Sequence, residues 1–406
     1  MHVFKQHNVL LPSNHDRGKP LIDPKAKGQL FLCPCCIQVT DSRNKFKEHV
    51  DEHSFKISAT FPSCPSWLLQ GVNIAERFRE YFATCLEDCR NFFDVDQFFN
   101  QLLCLSSILV LQKRAKYESL PAKYFSPPLL EATRQNVLSS LVLPDSLDAD
   151  LYISIKNTIR DYHENKISNL TARHYLISLA MKKDEAERNV VLAIESLFPA
   201  LKDLDIGHLR ESELAASFVH PLIQALLAYD TEEKVARCTN TLPDNGTDVN
   251  RRPDYEVMMY DRYQPSYRTC FGELKGEGSS DTLSIMDFYR LGVFAKLEMV
   301  SSNLTGVLCF QALGTSITFY TMVHTDSSIY AFVELATITI PKTKNDIMSV
   351  TSILDDLYKI AVYHRTIVKS PTPNTKHPTL PFEFVQGTRK TLPAKRKPSL
   401  GSISAR

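Results

Sequence analysis

Between about Pro62 and Leu204, apolar residues recur at three- and four-residue spacing. The segments "IAERFREYFATCLEDCRNFF", "DQFFNQLLCLSSILVLQKRAK", "DLYISIKNTIRDYHE" and "EAERNVVLAIESLFPAL" carry the pattern. That period predicts amphipathic helices, with Pro121, Pro127, Pro128 and Pro144 punctuating between them. From Ile206 the texture changes. A helical stretch, "LRESELAASFVHPLIQALLAY", precedes the β-type runs "EKVARCTNT", "RPDYEVMMYDRY", "YRTCFGELKG", "GVLCFQAL", "SITFYTMVH" and "IYAFVELATITI". A long helix, "TLSIMDFYRLGVFAKLEMV", interrupts them, and "ILDDLYKIAVYHRTIV" closes the region with another. This order predicts a mixed α/β domain.

The pattern divides the chain into an irregular N-terminus (1–30), a cysteine-bearing segment (31–54), an all-α middle region (62–204), an α/β domain (205–368) and a tail (369–406). From Lys369 onward there are six prolines and eight Lys or Arg against one acid, Glu383, which predicts a disordered basic tail. Its "TRKTLPAKRKPS" resembles a nuclear-import signal, so a nuclear location is expected.

Composition narrows the function classes. The 406 residues are 43% hydrophobic and 23% charged, a globular balance. A net charge of +1 gives no global attraction to nucleic acid, so any such binding must come from local patches. Only 13 glycines are present, and no phosphate-loop or dinucleotide fingerprint is found. The opening "MHVFKQHNVLLPSNHD" lacks the apolar core of a secretory signal. The longest apolar stretch, "LLCLSSILVL", is too short to span a bilayer, so no membrane association is expected.

Of the ten cysteines, Cys33, Cys35 and Cys36 form a tight cluster. Cys33 and Cys36 are followed after twelve residues by His49 and, one helical turn later, by His53. Two thiolates from a short turn and two imidazoles on one helix face supply four N/S ligands for a tetrahedral Zn²⁺. "LFLCPCCIQVTDSRNKFKEHVDEHS" resembles a Cys-Cys-His-His zinc finger of ββα form, over about 25 residues. It departs from the family at Thr40, where an aromatic is usual. The resemblance implies that Ser42, Lys45 and Glu48 occupy the base-reading helix positions. One finger covers only about 3 base pairs, so contacts with a protein partner are nearly as well supported as base reading.

The second constellation lies in "RRPDYEVMMYDRYQPSYRTCFGELKGEG", from Arg251. Strand alternation sends Glu273 and Lys275 to one side. "YDRYQPSY" reads as a turn that brings Asp254 onto a neighbouring strand. Two carboxylates on one sheet edge suit a hard cation such as Mg²⁺, and a lysine beside them can position or help deprotonate the attacking water and offset phosphate charge. These residues, Pro253-Asp254 and Glu273-Leu274-Lys275, resemble the PD-(D/E)xK nuclease superfamily, the restriction-endonuclease-like fold, over roughly residues 205–365. The same layout is similar to a set of fungal proteins of poorly defined function. The resemblance implies a further metal-site glutamate on the first helix. Glu213 is favoured because it lies off the Leu214/Phe218/Leu222 stripe, with Glu211 the alternative.

Gln311 on the next strand is a candidate to orient water or substrate. Arg251 and Arg252 are candidate backbone contacts. Arg290 and Lys296, off the Phe288/Leu291/Phe294/Leu297 faces of the long helix, are candidate phosphate contacts or a solvated face, and His220 is a candidate to reach the same cleft from the first helix. The expectation is therefore a zinc-finger protein whose α/β domain hydrolyses phosphodiester bonds of nucleic acid, more readily DNA, with Mg²⁺. The alternative is a non-enzymatic binding factor that keeps the α/β domain as a silent scaffold.

Overall fold

The protein is described from a computed structural model. It describes residues 65–88, 95–113, 116–229, 231–239, 253–325, 329–374 and 379, together with the backbone of three short strands at Leu21–Ile22, Gln29–Leu32 and Val39–Thr40. Those three strands pair antiparallel, with Phe31 opposite Thr40 and Leu32 opposite Val39. The expected zinc ligands Cys33, Cys36, His49 and His53 lie outside the described residues, as do Ser42, Lys45, Glu48, Arg251 and Arg252.

The main body is a seven-stranded mixed sheet covered on both faces by helices. Its strands are β1 (Ile108–Leu111), β2 (Lys234–Cys238), β3 (Tyr255–Asp261), β4 (Gln264–Lys275), β5 (Val307–Leu313), β6 (Ser316–His324) and β7 (Tyr330–Thr339). They lie in the order β1-β7-β6-β5-β4-β3-β2. The β4–β5 and β7–β1 pairs are parallel and the others antiparallel. Each of the six β-type runs read from residue 206 onward is a strand. The β3–β4 hairpin turns at Arg262 and Tyr263, both at positive φ (48° and 65°), the two-residue geometry that matches strand twist.

The helices are α1 (Ile74–Asp88), α2 (Val95–Leu105), α3 (Pro127–Ser139), α4 (Ala149–His163), α5 (Asn169–Ala180), α6 (Glu185–Glu195), α7 (Glu211–Leu214), α8 (His220–Ala228), α9 (Asp281–Ser301) and α10 (Leu354–Arg365). A π turn, Ala215–Val219, joins α7 to α8. Asp148, Ser168 and Asp184 cap α4, α5 and α6 by accepting a backbone N–H with their side chains. On one face of the sheet, α4–α8 and α10 pack against Tyr255, Val257, Cys270, Leu274, Phe310 and Phe319. On the other, α1–α3 and α9 pack against Phe271, Cys309, Tyr320 and Phe332. Strand alternation thus divides each central strand between two apolar cores.

This arrangement corrects the expected all-α middle region. "LLCLSSILVL" is not one helix: α2 ends at Leu105, Ser107 takes φ 58°, and Ile108–Leu111 forms β1. All four β1 residues are buried, and a short run buried on both sides has no period to separate strand from helix. β1 pairs in parallel with β7, so the middle segment and the α/β segment share one sheet. The expected tail also begins later than residue 369. Lys369 bridges to Leu304, and Asn374 donates to the carbonyls of Met299 and Leu304 at the end of α9.

Candidate active site

The Glu-x-Lys triplet closes β4, the strand at the centre of the β3–β4–β5 trio. Tyr255 pairs with Gly272 across the β3–β4 ladder, so Asp254 stands opposite Glu273. Gln311 is the register partner of Glu273 on β5. The two glycines of "GELKG" fix this region by close approach. A Cβ on Gly272 would overlap the ring of Phe310. One on Gly276 would lie 2.8 Å from the Leu209 carbonyl oxygen and 2.9 Å from the Glu211 nitrogen. The start of α7 is thereby pressed onto the end of β4. Glu277 secures the same junction, accepting from the Leu209 N–H at 3.1 Å and from Lys342 at 3.0 and 3.1 Å.

Asp254, Glu273 and Lys275 converge. Asp254 Oδ2 accepts the Leu274 N–H at 2.9 Å and lies 3.5 Å from Lys275 Nζ. Glu273 is fully buried, and Asp254 comes within side-chain hydrogen-bonding reach of it. Two further carboxylates complete the cluster. Asp287 of α9 places Oδ2 2.8 Å from Lys275 Nζ, and Glu211 of α7 places Oε2 3.7 Å from it. Arg290, one turn along α9, reaches Glu273 Oε2 at 3.3 Å and Asp287 Oδ1 at 3.4 Å.

Burial dominates the electrostatics. It raises Glu273 well above the usual carboxylate range. Arg290 opposes the rise, and Asp254 and Asp287 add to it. Asp287 is raised for the same first reason, against the pull of Lys275. Burial also raises Glu211, with Lys275 pulling back. Lys275 is held above its ordinary value: burial alone would lower it, but Asp287 and Asp254 outweigh that. Lys275 is therefore an ammonium, a fixed positive charge rather than a base. Four carboxyl groups face two cations at the end of β4, and this crowding adds to the upward shifts of Glu273, Asp287 and Glu211. Glu273 Oε1 is buried and accepts from no N–H or hydroxyl group among the described residues, its near neighbour being the Asp254 carboxyl. A buried ionised carboxylate lacking such a partner costs several kcal/mol, so this oxygen calls for a proton or a cation.

Other expectations resolve differently. The helix glutamate at the cluster is Glu211, not Glu213, which is exposed. Glu213 was favoured for lying off the apolar stripe, but the junction at Gly276 turns the very first residue of α7 toward Lys275. Gln311 is fully buried with both ends of its amide engaged. Its Nε2 donates to the Ser284 carbonyl at 2.7 Å and its Oε1 accepts from Tyr117 Oη at 2.6 Å, so it braces the site and does not offer a group to water. His220 pairs with Tyr255 Oη at 2.8 Å. Lys296 is neither a phosphate contact nor on a solvated face. It is fully buried, donates to the Ser106 carbonyl and sits 5.1 Å from the Tyr330 ring centroid.

Asp287 and Tyr117 were missed. An acid on a long helix reads as solvent face, and Tyr117 lies in a segment without periodicity; nothing local in the sequence marks either.

The donors available to a metal are all oxygen, which suits Mg²⁺. Among the described residues no three Asp, Glu, His or Cys side chains are grouped to hold one ion. Mg²⁺ commonly takes only one or two carboxylates, the rest of its octahedron being water and substrate phosphate, so the Asp254–Glu273 pair fits it. No family model, curated protein or solved structure significantly matches the chain. Among the described residues no helix is long and apolar enough to cross a membrane.

Proposed function

We propose that the α/β body is a Mg²⁺-dependent phosphodiester hydrolase of the PD-(D/E)xK, restriction-endonuclease-like kind, acting on nucleic acid. The observation that carries this reading is the convergence of Asp254, Glu273 and Lys275 at one end of β4, with Glu273 Oε1 buried and accepting from no N–H or hydroxyl group among the described residues. The order helix, three strands, helix, strand agrees with it. So does the placement of the site at the carboxyl end of the parallel pair β4–β5, where ligands of α/β sheets gather.

Asp254 and Glu273 would hold the ion, which would supply Lewis-acid polarisation of the phosphate and a more acidic bound water. Lys275 faces the scissile phosphate as a fixed positive charge. Glu211, whose side chain is 44% exposed, links the cluster to solvent and passes the water proton out. The Cys33/Cys36/His49/His53 finger, holding structural Zn²⁺, would place the chain on DNA or on a protein partner, and the basic tail would direct it to the nucleus.

Asp254→Ala and Lys275→Ala are expected to lower Mg²⁺-dependent cleavage of DNA or RNA at least 100-fold while the circular dichroism spectrum of the folded protein stays near wild type. Wild-type protein that cleaves neither nucleic acid with Mg²⁺ or Mn²⁺ sinks the enzymatic reading.

The other reading, a silent scaffold in a zinc-dependent binding factor, has one observation in its favour. Lys275 and Arg290 already pair with the carboxylates, as internal counter-ions do. It predicts nucleic-acid or protein binding that requires Zn²⁺ and survives loss of Lys275.

A further inference from the structure

Asp287 and Arg290 stand three residues apart on α9, so they share the helix face turned toward β4. The contacts of Lys275 Nζ are graded. Among the carboxylates, Asp287 Oδ2 is at 2.8 Å, Asp254 Oδ2 at 3.5 Å and Glu211 Oε2 at 3.7 Å, and Nζ also donates to the Leu274 carbonyl at 2.9 Å. Asp254 is already committed to the Leu274 N–H, and Glu211 is the most exposed of the three. The shortest contact therefore comes from Asp287, on a helix packed rigidly through Phe288 and Leu291. Arg290 makes the matching contact with Glu273, and its guanidinium lies 5.5 Å from the Phe294 ring centroid.

We propose that Asp287 is a positioning residue of this site. It anchors the Lys275 ammonium beside Asp254, while Arg290 orients the Glu273 carboxylate. The proposal rests on the nuclease reading given above. A flexible lysine stem left to itself samples many rotamers, and the ion pair selects the one that points at the metal and phosphate side. Asp287 is assigned to positioning because both of its oxygens face a cation, Oδ2 in an ion pair with Lys275 that lacks hydrogen-bond geometry and Oδ1 beside Arg290.

The test uses the full chain, in wild-type, Asp287→Asn, Asp287→Glu, Lys275→Met and Asp287→Asn/Lys275→Met forms. Binding of Mn²⁺ alone is followed by electron paramagnetic resonance, and cleavage by steady-state kinetics. Asp287→Asn is expected to lower kcat about 10- to 100-fold, the range seen when an outer-shell partner is lost, with KM and Mn²⁺ affinity within about twofold. Asp287→Glu keeps the charge and restores part of kcat. In the Lys275→Met background, Asp287→Asn is expected to have no further effect, since Asp287 acts through that lysine.

Wild-type kcat in Asp287→Asn overturns the proposal and leaves the nuclease reading standing. Tenfold weaker Mn²⁺ binding overturns it in favour of a ligand role. A wild type that cleaves nothing overturns both. Should Asp287→Asn fail to fold, Asp287→Glu carries the test: kcat intermediate between wild type and Lys275→Met, with Mn²⁺ affinity kept, supports positioning, whereas unchanged kcat overturns it.

Discussion

A lysine ammonium is strongly hydrated, and Lys296 gives up that hydration for contacts that include the Ser106 carbonyl and the face of Tyr330. Burial pulls its pKa down to about 7 from 10.5. The sign of the consequence follows from proton counting. Between pH 7 and about 10 the unfolded chain keeps this proton and the folded chain sheds it, so the residue's contribution to stability grows as pH rises. The slope is at most about 1.4 kcal/mol per pH unit. Urea melts at pH 7, 8 and 9 should show wild type gaining stability relative to Lys296→Met across that range. Parallel curves for the two proteins would mean that the amine is charged in the fold. Lys296 also marks the limit of residue-level reading. Both Lys296 and Glu213 were placed by their position relative to an apolar stripe. That stripe fixes one buried face of a helix and is silent about a second neighbour, here α2 and β1 over Lys296. Glu273 and Lys275 were legible because a strand's two-residue alternation leaves no such freedom.

At the level of elements, β4 is constrained from both sides by residues it lacks. Gly272 must pass beneath Phe310, so Gly272→Ala is expected to lose about 1–3 kcal/mol or more by overpacking. Adding Phe310→Leu should recover part of that loss, which a double-mutant cycle in urea would report as favourable coupling. Additive losses would show that the ring moves aside at no cost. The strands from β2 to β7 were readable because turn residues bound runs of β-branched and aromatic side chains. Four-residue β1 was not, since its identity is conferred by β7 alone. The helices α3 and α5 also escaped notice, their apolar faces being weakly periodic.

The molecule as a whole is organised around a sheet that two sequence segments build together. α1, α2 and β1 cover α9 and β7, burying Phe78, Leu102, Leu103 and Leu109 in the same core as Phe288 and Phe332. A fragment beginning at residue 205 would expose that core. It is expected to be insoluble or molten, whereas residues 65–374 should unfold in one cooperative step. Near-ultraviolet circular dichroism and urea unfolding of the two fragments check this. A native-like, cooperatively unfolding 205–374 fragment would restore the separate α/β domain that the change of texture at Ile206 first suggested.

The pairing of β1 with β7 also sets an order of events during synthesis. Ile108 meets Tyr330, a partner roughly 220 residues further along the chain. Tyr117, shortly after the end of β1, waits for Gln311 in the same way. A ribosome making this chain therefore emits the strand and the brace long before anything exists to receive them. The charged cluster is assembled only after β5 and β7 have followed it from the ribosome, so a chain stopped before them carries its acids and lysine without the geometry that would let them act.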